Sequence, residues 1–315
     1  MAQKKITDLQ QISAMTDGSS LPVDNGVQTY RATGSQLKTY LSPAYYPPSF
    51  ARYLSGSGSF NLHYAFRIST GSATIGATYT HNSVTYTVVR TVASSTHVIM
   101  SGSAPPLSSG TLTKSAGTGD STITFSEFRS PLAVEVSMVG GGGGGSGSGG
   151  SPSASGAGGN TTFGSNLTAG GGNGGGVGGA TGGAGGGNTI SEGDTEISID
   201  GSWGESFVGV TTTGGGSGGN SFFTGRGNGG GPDTAGGAAA TNSGSGGGGG
   251  GTNSASTAFG TGGGAGAFLK VTITAPAATY AYSVAAGGTA GGAGSNGRAG
   301  GVGGSGNILV KCRFQ

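Results

Sequence analysis

The sequence predicts an all-β protein with a glycine-rich region, and three observations carry that prediction. Well-patterned segments alternate with period two, turn residues separate them at short intervals, and glycine is the commonest residue at 76 of 315 positions. Hydrophobic residues make up 32% of the chain and charged residues 8%, so few side chains are available for a conventional core throughout. A net charge of +2 is too small for the self-repulsion that usually accompanies disorder.

Residues 1–43 read as an attachment segment. A strand-like stretch, Val27 to Ala32, follows turn signals at Pro22 and Asp24-Asn25-Gly26, and Leu37, Tyr40 and Leu41 have helical spacing in a turn spanning Ser35 to Leu41. The segment is too short to fold alone and is expected to dock on another chain or a carrier particle. Residues 44–55, with Tyr45-Tyr46-Pro47-Pro48, read as a stiff extended linker.

Residues 56–128 predict a small β-sandwich. Val84, Tyr86 and Val88 alternate with Thr85 and Thr87, Ile123 and Phe125 flank Thr124, and turns are expected at Thr80-His81-Asn82-Ser83 and Gly117-Thr118-Gly119-Asp120. Residues 129–315 hold all but 11 of the glycines. Leu132, Val134, Val136 and Met138 alternate with Ala133, Glu135 and Ser137; Leu269, Val271 and Ile273 with Lys270 and Thr272; Ile308, Val310, Cys312 and Phe314 with Leu309, Lys311 and Arg313. Tyr280, Tyr282 and Val284 complete a fourth strand of this kind.

Between these strands run the glycine tracts 140–150, 170–187 and 244–251. A linker joins folded domains, whereas these tracts return repeatedly to patterned strands, so they are expected to be internal connections of one fold. Chains of glycine adopt a threefold extended helix rising ~3.1 Å per residue, and without side chains several can approach closely enough for mutual backbone hydrogen bonds. The expected result is a packed, polyglycine II-like array with loops at its ends.

Three stretches resemble phage tail fibres and glycine-rich trimeric fibre adhesins. Ala73 to Val89 followed by Ser109 to Asp120 is similar to a small β-domain recurring in tail fibres and baseplate-associated proteins. Val134 to Val139 running into Gly140 to Gly145, with Gly158-Gly159-Asn160-Thr161-Thr162-Phe163-Gly164 and the closing Gly304 to Val310, resembles glycine-rich fibre tips. Lys5 to Leu9, Leu21-Pro22-Val23 and the Tyr30 to Leu41 stretch are similar to fibre attachment segments. The resemblance implies an elongated homotrimer with a glycine-rich tip, carried on a virion tail through the N-terminal segment and binding a bacterial surface glycan or outer-membrane protein through the C-terminal region. A bacterially encoded trimeric adhesin derived from such fibres, working at the cell surface, and a purely structural spacer are the alternatives. The basic start Met1-Ala2-Gln3-Lys4-Lys5 lacks a following apolar run, which predicts neither a secretory signal nor membrane insertion.

The residues point to binding without catalysis. Gly-x-Gly-x-x-Gly and Gly-x-Ser-x-Gly strings arise here from composition, without the helix, acid or histidine context that nucleotide sites and nucleophile elbows need. Singly spread Lys and Arg form no stripe for nucleic acid, and one cysteine with three scattered histidines gives no metal or cofactor spacing. The acids Glu192, Asp194, Glu196 and Asp200 raise the case of paired carboxylates, but alternation puts the last three on one solvated strand face, opposite Thr195, Ile197 and Ile199. Cys312 and the histidines His63, His81 and His97 read as ordinary structural side chains. Aromatic residues and arginine are enriched where surfaces bind other molecules, which makes Trp203, Phe207, Phe222, Phe223 and Arg226 the candidate receptor-binding residues. The phenylalanines serve equally well as a small local core.

Overall fold

The computed structural model describes residues 20–24, 29–33, 49–91, 97–106, 109–177, 181–206, 214–253 and 258–314, and among them every regular element is a β-strand. The chain divides into residues 1–48 and 49–315. In the first unit, β1 (Ser20–Asp24) pairs antiparallel with β2 (Thr29–Thr33). The helical turn expected at 35–41 lies outside the described residues.

The second unit begins with β3 (Ser49–Leu54) and β4 (Ser57–Asn61), then enters a closed barrel of β5 (His63–Thr70), β6 (Thr78–His81), β7 (Val84–Thr91), β8 (His97–Gly102), β9 (Gly110–Ala116) and β10 (Thr122–Arg129). The barrel replaces the expected sandwich because β9 pairs with both β6 and β10, which joins the sheet to itself in the order β10-β5-β8-β7-β6-β9. Bulges between β10 and β5, β7 and β8, and β6 and β9 supply the curvature that lets short strands close. Tyr64, Phe66, Tyr79, Tyr86, Leu112, Ile123 and Phe125 are buried, and Phe66 lies edge-on to Tyr86 and Phe125 at 5.4 and 5.1 Å. The expected hairpin turn is present with Asn82 and Ser83 at φ 48° and 65°.

The remaining strands are β11 (Ala133–Val139), β12 (Thr161–Phe163), β13 (Leu167–Ala169), β14 (Asn188–Ile190), β15 (Asp194–Ile199), β16 (Phe268–Ile273), β17 (Thr279–Ser283) and β18 (Asn307–Arg313). They form two sheets, ordered β15-β16-β11-β18-β3 and β14-β13-β12-β17-β4. β3, within the stretch read as a linker, is an edge strand hydrogen-bonded to β18, and β4 pairs with β17 instead of joining the barrel. The connections β3 to β4 and β14 to β15 link the two sheets at both edges. One face of the first sheet is buried as alternation predicts: Val134, Val136, Met138, Leu269, Val271, Ile308, Val310 and Cys312. Leu132, expected on that face, is exposed because it precedes β11. Burial of each such side chain contributes about 1.5–3 kcal/mol.

The glycine tracts form a hydrogen-bonded lattice. The central run, 140–149, donates in threefold rotation to three antiparallel neighbours: Gly141 and Gly144 to Gly159 and Gly156; Gly142, Gly145 and Ser148 to Gly304, Gly301 and Arg298; Gly143 and Ser146 to Gly264 and Thr261. Its carbonyls accept, also every third residue, from three parallel neighbours. Gly172 and Gly175 donate to Gly141 and Gly144, Gly288 and Gly291 to Gly142 and Gly145, and Gly247 and Gly250 to Gly143 and Ser146. Six neighbours therefore surround one buried run, and their backbone groups satisfy most of its donors and acceptors.

Among the described residues twelve runs join this lattice. Six point one way (140–149, 170–176, 201–205, 227–231, 244–252, 286–294) and six the other (156–159, 182–187, 215–219, 235–240, 258–267, 298–305). Side chains inside it are small and engaged: the Ser148 hydroxyl donates to Gly251 O at 2.7 Å and accepts from Arg298 N at 2.8 Å. Glycine loses the most backbone entropy on ordering, and a hydrogen bond returns only about 1 kcal/mol net. The array therefore depends on the apolar sheets, and the chain makes that coupling covalent. Runs 140–149, 258–267 and 298–305, for example, continue directly into or out of β11, β16 and β18.

Candidate functional site

Four runs, 215–219, 227–231, 235–240 and 244–252, do not continue into strands. They are joined at the sheet end of the lattice by two tight turns, 220–225 and 240–244, and these lie beside the outer face of the sheet containing β11. In the first turn, Thr224 N donates to Ser221 O at 3.1 Å, and the Ser221 hydroxyl accepts from Phe223 N at 3.2 Å. Thr224 has φ 61° and Gly225 φ 87°. A β-branched residue in the left-handed region is a strained exception, held only where its surroundings over-determine it. In the second turn the Ser243 hydroxyl donates to Ala240 O at 2.6 Å, and Asn242 has φ 57°.

A buried knot of serines ties the turns together. Ser221 donates through its hydroxyl to Ser243 O, Ser245 Oγ donates to Thr224 O at 2.7 Å, and Ser221 N donates to Ser245 Oγ at 3.1 Å. Ser221, Ser243 and Ser245 are all buried. On the sheet side, Asn307 Nδ2 donates to Asn242 O at 2.6 Å. The result is a cleft of about 690 Å³ between the turns and the sheet.

The floor of the cleft is one row across the sheet, with one residue from each strand: Ile197, Lys270, Ser137, Leu309 and Tyr53. Its aromatic wall consists of Phe222, stacked on Phe268 at 4.1 Å, and Phe223, edge-on to Phe268 at 5.4 Å. Phe222 and Phe223 remain 48% and 44% exposed and Tyr53 73%, so these rings present apolar surface to solvent. They are partly local packing and partly open surface.

The charge at the cleft is compensated. Lys270 Nζ pairs with Glu196, which also accepts from the Thr272 hydroxyl. These hydrogen bonds hold the Glu196 carboxyl below its usual range, with Lys270 the leading cause. A β-bulge between Thr195 and Ile197 breaks the alternation expected of β15 and places Ile197 opposite Lys270 on the outer face, where it lines the cleft. The expected separation of acids and apolar residues onto opposite faces therefore fails at this edge strand.

The structure does not gather the sequence-predicted residues into one site. Phe222 and Phe223 line the cleft. Arg226, just beyond the first turn, makes a 2.8 Å ion pair with Glu205 on an exposed flank of the lattice. Burial opposes ionisation of Glu205, but hydrogen bonds from Ser217 and Arg226 outweigh it and hold the carboxyl below its usual range. Trp203, in run 201–205, is 69% exposed and does not line the cleft. Phe207 lies outside the described residues. Sequence reasoning missed Tyr53, Lys270, Phe268, Asn242 and Thr224. The outward-facing positions of the alternating strands signalled Lys270, whereas nothing local marked the two turns as neighbours.

Two other singled-out side chains, His63 and Cys312, do not line the cleft. Cys312 Sγ lies 3.6 Å from His63 Nδ1 where the sheet meets the barrel, with both residues buried. Burial pushes the thiol up to about 12, and burial aided by Arg52 pushes the His63 imidazole down to about 3. His63 departs from the expectation of a satisfied side chain, since its Nε2 is buried without a hydrogen-bond partner. No family model matches the chain, and neither a curated protein nor a solved structure matches it.

Proposed function

We propose that this chain is a non-enzymatic receptor-binding protein of the tail-fibre type, which attaches a phage particle to a bacterial cell surface through its glycine-rich region. The observation that supports this reading is the six-neighbour lattice: it is a stiff support made of backbone, and its turns carry polar, charged and aromatic side chains that glycine lacks. At the end away from the sheets, the turns at 150–153, 231–234 and 294–297 are held in place. Gly150 and Ser295 form a bridge, and Arg298 pairs with Asp233 at 2.9 Å. Ser151, Asp233 and Asn296 there have φ 60°, 56° and 60°. Ordered turns on a rigid scaffold bind with little entropy lost on association.

In this proposal residues 1–43 dock the protein on its carrier, and three copies associate into an elongated fibre with the lattice at its tip. Glu196 is committed to Lys270 and Thr272, which fits binding better than sugar cleavage.

Adsorption of the purified protein to a panel of bacterial cells tests the reading, with light scattering to give the oligomeric state. Trp203→Ala and Arg226→Ala are expected to weaken adsorption roughly tenfold or more. The exposed Arg226 pair contributes under about 1 kcal/mol to stability, so folding is retained. Failure to adsorb to any cell would leave a structural spacer and overturn the proposal.

A further inference from the structure

We infer that the cleft between the serine-tied turns and the β11 sheet is a binding site for a neutral saccharide. The inference deepens the attachment reading and rests on it for biological purpose, while the chemistry stands on the cleft itself. Its volume of about 690 Å³ falls within the roughly 300–1,000 Å³ of small-ligand sites, which combine apolar and aromatic walls with a few placed polar groups.

Three features select the ligand. The first is aromatic surface: Phe222, Phe223 and Tyr53, each at least 44% exposed, offer rings around one opening, suited to the C–H face of a pyranose. The second is a set of polar groups on the same lining without a hydrogen-bond partner among the described residues. These are the hydroxyls of Tyr53, Ser137, Thr224 and Thr241 and the Oδ1 of Asn307, whose Nδ2 is already used. An apolar peptide side chain would desolvate these groups without replacing their bonds to water, at a cost of about 1–3 kcal/mol for each group left unsatisfied. A sugar ring's hydroxyls both donate and accept at its rim. The third is charge: among the described residues, Lys270 is the one ionised side chain of the lining and is neutralised by Glu196, so an anionic ligand gains no net attraction. Neutral, hydroxylated and flat-faced together describe a hexose-type glycan segment.

The cleft is also pre-organised. The buried Ser221, Ser243 and Ser245 network holds Thr224 and Asn242 in left-handed conformations on the two turns before any ligand arrives. Strain of this kind persists where surrounding structure enforces it and is concentrated at ligand sites.

The test applies the full-length protein to a printed array of neutral and sialylated oligosaccharides with an apolar phenylalanine-rich peptide as competitor, and titrates each hit by calorimetry. Binding of at least one neutral oligosaccharide is expected, weakened about tenfold or more by Tyr53→Ala and by Phe223→Ala and unchanged by Ile75→Ala, an exposed barrel residue outside the cleft. Tyr53 is largely exposed, so loss of folding does not confuse its result. The inference is overturned if no neutral oligosaccharide binds, if both substitutions leave affinity unchanged, or if only the sialylated probes or the peptide bind. Whole-cell adsorption separates the two readings: adsorption without saccharide binding overturns the cleft assignment alone, and saccharide binding without adsorption to any cell overturns attachment alone.

Discussion

Replacing Gly142 by alanine drives a methyl group into the centre of the lattice. Gly142 donates to Gly304 O at 2.9 Å and accepts from Gly288 N at 2.8 Å, and a Cβ built on it would overlap the carbonyl group of Ser245 in the neighbouring run. That neighbour is backbone and has no rotamer through which to yield. Run 244–252 must move away, which stretches its bonds from Gly247 to Gly143 and from Gly250 to Ser146. Overpacking costs about 1–3 kcal/mol and each weakened hydrogen bond about 1 kcal/mol, against a gain of up to about 1 kcal/mol from stiffening the unfolded chain. The net expectation is a loss of about 2–5 kcal/mol. Gly231→Ala is the control, since its Cβ would meet only Thr234 Oγ1 at 3.6 Å, an ordinary contact. Urea denaturation gives the stability change, and amide exchange shows where protection is lost. Exchange in 140–149 should be slow in the parent and the control and fast in Gly142→Ala. If Gly142→Ala matches Gly231→Ala in midpoint and exchange, or if the parent exchanges rapidly throughout 140–306, the lattice argument is wrong.

Two further predictions follow from the junction of sheet and barrel. The His63 imidazole is held down to about 3 from 6.5, so the unfolded chain takes up a proton that the native one refuses. Its contribution is complete above about pH 6.5 and declines as pH falls toward 3, by up to about 1.4 kcal/mol per pH unit. Stability measured between pH 6.5 and about 4.5, above the range of the native Glu196 and Glu205 carboxyls, should fall in the parent and stay flatter in His63→Phe; equal slopes would refute the assignment. Cys312, buried with its thiol pushed up to about 12, should resist disulfide reagents at pH 8 in the folded protein and react fully in denaturant. Rapid labelling of the native protein would contradict that burial.

Much of the fold was legible from the sequence because strands declare themselves through alternation. Val134, Val136 and Met138, or Ile308, Val310 and Cys312, can bury one face only as strands, and their burial follows. The return of glycine tracts to such strands likewise identified connections internal to one fold. Tertiary structure alone decided what long-range pairing controls. The bulges that close the barrel, the pairing of β3 with β18, and the bulge that turns Ile197 outward leave no local signature, since register depends on the partner strand. The candidate site divides the same way. Aromatic content singled out Phe222 and Phe223, but the cleft exists because serines at 221, 243 and 245 join two turns over a row of residues drawn from five strands. Composition determined that backbone would have to do the packing; only the threefold hydrogen bonding among distant runs decided which turns meet, because a glycine carries no side chain to encode its neighbour.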